Sequence, residues 1–95
     1  MKVVGRKVVF EFAATHPDAR TPLDDWHRIV KTTNWKSIAE VRKVFPHADF
    51  VDPCTVFNIG GNKYRLVAHI DYRAGLVQVK CVLTHKEYDK GWWKQ

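Results

Sequence analysis

Apolar residues in the second half of the chain recur at every second position, and in much of the first half at every third or fourth. Thr55-Val56-Phe57-Asn58-Ile59 predicts a strand, Gly60-Gly61 a turn, and Tyr64 to Arg73 a second strand. Ala74-Gly75 predicts another turn, leading into a third strand over Leu76 to Thr84. Together they make a three-stranded meander. Before it, Thr21, Pro22 and Asp24 form a helix start: the hydroxyl can cap, proline suits the first turn and the acid favours the positive helix end. Leu23, Trp26, Val30 and Thr33 then share one face. Ser37 and Glu40 have the spacing of a capping box, followed by the stripe Ile38, Val41, Phe45 and a stop at Phe45-Pro46. Lys2 to Val4 reads as an edge strand and Pro46 to Pro53 as a loop. Arg6 to Ala14 stays open: Val8, Phe10 and Phe12 alternate as in a strand, while Val8, Val9, Phe12 and Ala13 make a helical face, and His16-Pro17 ends either element.

The side-chain period also predicts a register. A hairpin closing on Ala74-Gly75 pairs Arg73 with Leu76, Ile70 with Val79, Ala68 with Cys81 and Leu66 with Leu83, and all but the first can enter a core. A one-residue slip sets Gln78 and Lys80 beside Ile70 and Ala68, desolvating polar groups without partners. The favoured register puts His69 opposite Lys80 and Arg65 opposite Thr84, on a face the helices need not cover. It also brings Lys63 toward Lys86.

With 95 residues there is room for one modest core, so residues 1–95 are expected to form a single domain with one functional site. Helices grouped before strands imply an α+β fold, with N-terminal helices packed on one face of a small antiparallel sheet. No repeat, low-complexity tract or linker divides it. No apolar stretch approaches the roughly 20 residues of a membrane span, and the first residues lack a secretory pattern, so a soluble cytoplasmic protein is expected. Cys54 and Cys81 have no metal-ligand spacing; two free thiols are the expectation, with a disulfide between them possible in principle.

Sixteen Lys and Arg against ten Asp and Glu leave a net charge of +6, which favours polyanionic partners. Most of the excess follows Cys54: Lys63, Arg65, Arg73, Lys80, Lys86, Lys90 and Lys94 against Asp71, Glu87 and Asp89. Arg65, fixed on a strand, suits bidentate grip of a phosphate, the reading favoured over a salt bridge to Asp71 or Glu87. His85 can exchange a proton near neutral pH, and its basic neighbours favour the neutral form; as a lone histidine at a strand end it can also be structural. Tyr88 can stack on a base, supply its hydroxyl, or simply pack a short terminal helix onto the sheet. Lys63 and Lys86 can stabilise charge on a phosphorane-like transition state or remain solvated. Asn62, His69, Lys80 and Trp92 are candidate RNA contacts, although Gly60-Gly61-Asn62 also suits a plain hairpin turn and Trp92 can close a core or meet a protein. No phosphate-binding glycine loop, no H-E-x-x-H and no spaced carboxylate pair occurs, which points away from metal-assisted hydrolysis and leaves side-chain acid/base chemistry without a cofactor.

Two segments, Val56-Phe-Asn-Ile-Gly-Gly-Asn-Lys-Tyr-Arg-Leu-Val67 and Thr84-His-Lys-Glu-Tyr-Asp89, resemble the HigB-type toxins of bacterial type II toxin-antitoxin systems, within the RelE-like superfamily. The likeness extends over essentially the whole chain. It implies a helix over Arg6 to Ala14 and a ribosome-associated, metal-independent endoribonuclease that cuts translated mRNA. The implied partner is a helix-turn-helix HigA-type antitoxin. Asn62, Lys63, Arg65, His85, Lys86 and Tyr88 become the implied site, without proton-transfer roles assigned. An RNA- or ribosome-binding module without chemistry and a basic protein-interaction domain remain the alternatives.

Overall fold

In a computed structural model, residues 1–94 are described, the Trp92 side chain excepted. The elements run β1 (Lys2–Val4), α1 (Arg6–Thr15), a 3-10 turn (Pro17–Ala19), α2 (Arg20–Thr32), α3 (Ile38–Val44), β2 (Asp49–Val51), β3 (Cys54–Ile59), β4 (Tyr64–Asp71), β5 (Leu76–Thr84) and α4 (His85–Lys90). A last 3-10 turn covers Trp92–Lys94. The strands form one sheet in the order β1-β5-β4-β3-β2, antiparallel except for β1, which runs parallel to β5. The expected meander is therefore the centre of a larger mixed sheet. Two edge strands flank it, one of them, β2, inside the segment expected to be a loop.

The helices cover one sheet face, as a fold of this class requires. Leu23, Trp26 and Val30 of α2 and Val41 of α3 are buried with Phe57, Ile59, Leu66, Ala68, Ile70, Val77, Val79 and Val82 of the strands. Phe57 lies at the centre, fully buried, with Trp26, Trp35 and Phe45 rings 5.4, 6.2 and 5.2 Å away. Aromatic pairs at such spacings add to simple area burial. Arg6–Thr15 is helical, and Val8, Val9, Phe12 and Ala13 are the residues it turns to the core, leaving Phe10 exposed.

Two helix starts differ from expectation. Thr21 lies inside α2, which begins at Arg20 directly from the preceding 3-10 turn and has no side-chain cap. At α3 the Ser37 hydroxyl makes no cap, and the Glu40 carboxylate accepts from the Lys36 amide (2.9 Å) rather than from that of Ser37. A complete capping box exists instead at α4. There the Glu87 amide donates to the Thr84 hydroxyl (3.1 Å) and the Thr84 amide to the Glu87 carboxylate (2.9 Å).

The β4–β5 register also differs. Asp71 pairs with Leu76, Ile70 with Val77, His69 with Gln78 and Ala68 with Val79; then Val67 pairs with Cys81, Leu66 with Val82, Arg65 with Leu83 and Tyr64 with Thr84. Strand β4 stops at Asp71, whose carboxylate accepts from the Ala74 amide (2.9 Å), so a four-residue loop replaces the two-residue turn. The second difference is a β-bulge that leaves Lys80 without a partner. Val77 and Val79 face the helices before it, and Val82 does so after it. Cys81 and Leu83 consequently point to the other face.

That other face is not bare. Val56, Val67 and Leu83 are buried there, with Val51, Cys54, Cys81, Tyr88 and Trp93 packed against them. The thiols of Cys54 and Cys81 are both free and half-buried, on strands separated by β4.

Gly5 joins β1 to α1 with φ +96°, and a Cβ there would lie 2.7 Å from the Val79 carbonyl oxygen. Backbone strain and a clash with a central strand combine at this position. Gly5→Ala is expected to destabilise the fold by about 1–3 kcal/mol. Urea denaturation, read as a lower midpoint at unchanged slope, checks it.

Candidate functional site

At the end of the meander, the β3–β4 turn and the start of α4 are tied together through backbone. The His85 amide donates to the Lys63 carbonyl (3.0 Å), and the capping box at Thr84 and Glu87 fixes the direction in which α4 leaves the sheet. These bonds bring residues 62–65 and 85–88 to one place, as the sequence leads one to expect, although Arg65 faces Leu83 rather than Thr84.

Arg65 is only 8% exposed. Its guanidinium donates to the Asn62 carbonyl (3.3 Å), the Tyr64 carbonyl (3.1 Å) and the Asn62 side-chain oxygen (2.6 Å), and lies 5.6 Å from the centre of the Tyr88 ring. All three acceptors are neutral. Neither Asp71 nor Glu87 pairs with it, each carboxylate being used on a backbone amide. Burying a cation without an anion is costly, and hydrogen bonds with an aromatic face offset that cost only in part.

His85 is held at both ring nitrogens. Nδ1 lies 3.1 Å from the Asn62 carbonyl, which can only accept, so Nδ1 is the donor of that hydrogen bond. Nε2 lies 3.4 Å from the Asp89 carboxylate, one helical turn on. The charged group paired with this imidazole is thus an acid.

Tyr88 packs α4 onto the sheet, stacked on Trp93 at 4.9 Å with the rings 18° apart. Burial first, and then the Asp49 carboxylate, push its hydroxyl pKa up against the opposing effect of Arg65. The phenol therefore remains a proton donor at neutral pH. Lys86 is exposed on α4. Lys63 turns away from Lys86: its ammonium pairs with Asp18 at 3.2 Å, and the other Asp18 oxygen accepts from the Tyr64 hydroxyl at 2.5 Å.

His69 and Lys80 lie further along the same face, but the bulge separates them: His69 is opposite Gln78, while Lys80 is exposed with its ammonium 3.4 Å from the Gln78 side-chain oxygen. The Trp92 side chain, an expected RNA contact, lies outside the described residues. Three groups were not among the candidate site residues. Asn58 is paired with Arg65 in the sheet, Asp89 stands beside His85 Nε2, and Trp93 stacks on Tyr88. Helical spacing from His85 was a usable signal for Asp89, and strand alternation from Val56 for Asn58. Nothing local distinguished Trp93 from its neighbour. Among the described residues, no three His, Cys, Asp or Glu cluster as metal ligands, and no helix is long and apolar enough to cross a membrane.

A sheet backed by N-terminal helices, with a buried guanidinium, an imidazole and a phenol gathered where β4 meets α4, defines a RelE-like α+β protein. Residues 19–91 match the family model of the HigB toxin, described as the RelE-like toxic component of a toxin-antitoxin system, and the chain belongs to that family. Among its relatives, the mRNA interferase toxin HigB of Escherichia coli K12 is 30% identical over 92 residues, covering 94% of this chain and 88% of the relative. The mRNA interferase HigB of Escherichia coli O6:H1 strain CFT073 is 29% identical over 93 residues, covering 95% and 90%. The Shigella flexneri mRNA interferase HigB is 30% identical over 92 residues, with 94% and 88% coverage.

The Asp18 clamp gives a test of how the β3–β4 turn is held. Hydrogen bonds from Tyr64 and then Lys63 hold the Asp18 carboxyl below its ordinary 3.8. A carboxyl whose pKa falls on folding stabilises the native state fully above its unfolded value, and the contribution fades as pH drops through the folded one. Asp18→Asn is expected to lower the melting temperature at pH 6. Its gap from wild type should narrow as pH falls below 3.8; a gap independent of pH would refute the clamp.

Proposed function

We propose that this protein is a metal-independent endoribonuclease that cuts mRNA while it is being translated on the ribosome. In this reading it is the toxin of a cytoplasmic pair, neutralised by a helix-turn-helix antitoxin of the HigA type. The observation that carries it is Arg65, a cation buried among neutral acceptors. A phosphate arriving there supplies the missing counter-charge. The mRNA interferase names of the relatives point to the same substrate.

His85 Nε2 takes the proton of a 2′-hydroxyl, whose oxygen attacks the adjacent phosphorus. Asp89, 3.4 Å from that nitrogen, stabilises the imidazolium that forms. Arg65 holds the non-bridging oxygens, with Lys86 and a Lys63 released from Asp18 adding positive charge as the phosphorane-like state develops. Tyr88, kept protonated, donates to the departing 5′-oxygen, so the products are a 2′,3′-cyclic phosphate and a 5′-hydroxyl. Asn62 supports both Arg65 and His85, and His69 lies along the RNA path.

Expression of wild type should arrest growth and leave mRNA cut within translated codons, mapped by sequencing the new 5′ ends. His85→Ala is expected to slow cutting about 10²–10⁴-fold and Arg65→Ala about 10²–10³-fold. A wild type that neither arrests growth nor cuts overturns the function; undiminished cutting by both variants overturns the site.

A further inference from the structure

A cleft of about 530 Å³ opens on the α4 side of the sheet, beyond Tyr88. That volume lies within the roughly 300–1,000 Å³ usual for ligand sites. Val67, Cys54 and Cys81 line its apolar part, Trp93 contributes an aromatic surface, and Lys80 and Lys94 add two cations. Asp52 is the one carboxylate among the lining residues.

Each part is placed by something already described. Lys80 is the unpaired residue of the β5 bulge, a device that re-aims a side chain. Trp93 is fixed twice, by stacking on Tyr88 and by donating its indole N–H to the Tyr88 carbonyl (2.9 Å). The Lys94 ammonium sits 5.7 Å from the Trp93 ring centre. Among the described residues, neither Lys80 nor Lys94 enters an ion pair. The cleft continues the line from Arg65 through Tyr88 to Trp93.

We propose that this cleft is a nucleotide subsite, taking one unpaired RNA base beside Trp93 with its phosphate held by Lys80 and Lys94. An aromatic surface supplies stacking to any base, an apolar floor excludes water, and the flanking cations fit a polyanion better than an apolar peptide. Asp52 offers an acceptor to an exocyclic amine. The proposal rests on the endoribonuclease reading and adds a position next to the cut where base identity matters.

The test uses the full chain in a purified translation reaction on an mRNA library randomised around one codon. Lys80→Glu and Lys94→Glu should each raise KM about tenfold with kcat retained, and Lys80→Arg should restore it. Cys54→Phe, which narrows the cleft, should shift base preference at a single position beside the cut. Unchanged KM and unchanged preference, in a protein that still cuts and still needs Arg65, overturn the subsite and leave the ribonuclease standing. The same result accompanied by lost antitoxin binding assigns the cleft to a protein partner and also overturns it. A wild type that cuts nothing removes the ribonuclease reading and the subsite with it.

Discussion

Strand β5 must satisfy two cores with a single run of nine residues, and the bulge at Lys80 is how it does so. Strict alternation would send Val77, Val79, Cys81 and Leu83 to one side and Gln78, Lys80, Val82 and Thr84 to the other. One unpaired residue reverses the sense after Val79. Val82 then joins Leu66 on the helix side, and Leu83 joins Val56 and Val67 beneath α4. Because Leu83 now faces the same way as Arg65, α4 leaves the sheet over the guanidinium, and Tyr88 lands on it.

Much of this was legible. Period-2 runs bounded by glycine announced β3, β4 and β5, and the apolar faces of α1 and α2 matched the residues that pack. The bulge was not legible, because an extra residue in a strand has no local marker; only the sum of contacts on both faces selects it. Strand β2 was hidden for a related reason. Asp49-Phe50-Val51 is too short and too exposed to alternate, and it is a strand only because β3 offers an edge. Parallel pairing of β1 with β5 is likewise a tertiary choice.

The capping boxes show the limit of pattern at the site itself. Ser37 with Glu40 and Thr84 with Glu87 satisfy the same four-residue rule, yet only the second closes. What separates them is the backbone amide nearest each carboxylate, which the rule does not contain. The candidate residues were named from motif and charge, and their proximity follows from topology. The contacts among them were not named: Asn62 linking Arg65 to His85, Asp89 beside the imidazole Nε2, and Asp18 drawing Lys63 aside across 45 positions.

The two cores differ greatly in size. Among the described residues, sixteen are buried on the helix side, against Val56, Val67 and Leu83 on the other. Local opening costs least where few buried contacts must be lost. A six-residue helix resting on so small a cluster is therefore expected to open ahead of the strands beneath it. Amide hydrogens of α4 would exchange well ahead of those in β4, and a partner that peels α4 away would dismantle the Arg65–Tyr88 contact without unfolding the protein.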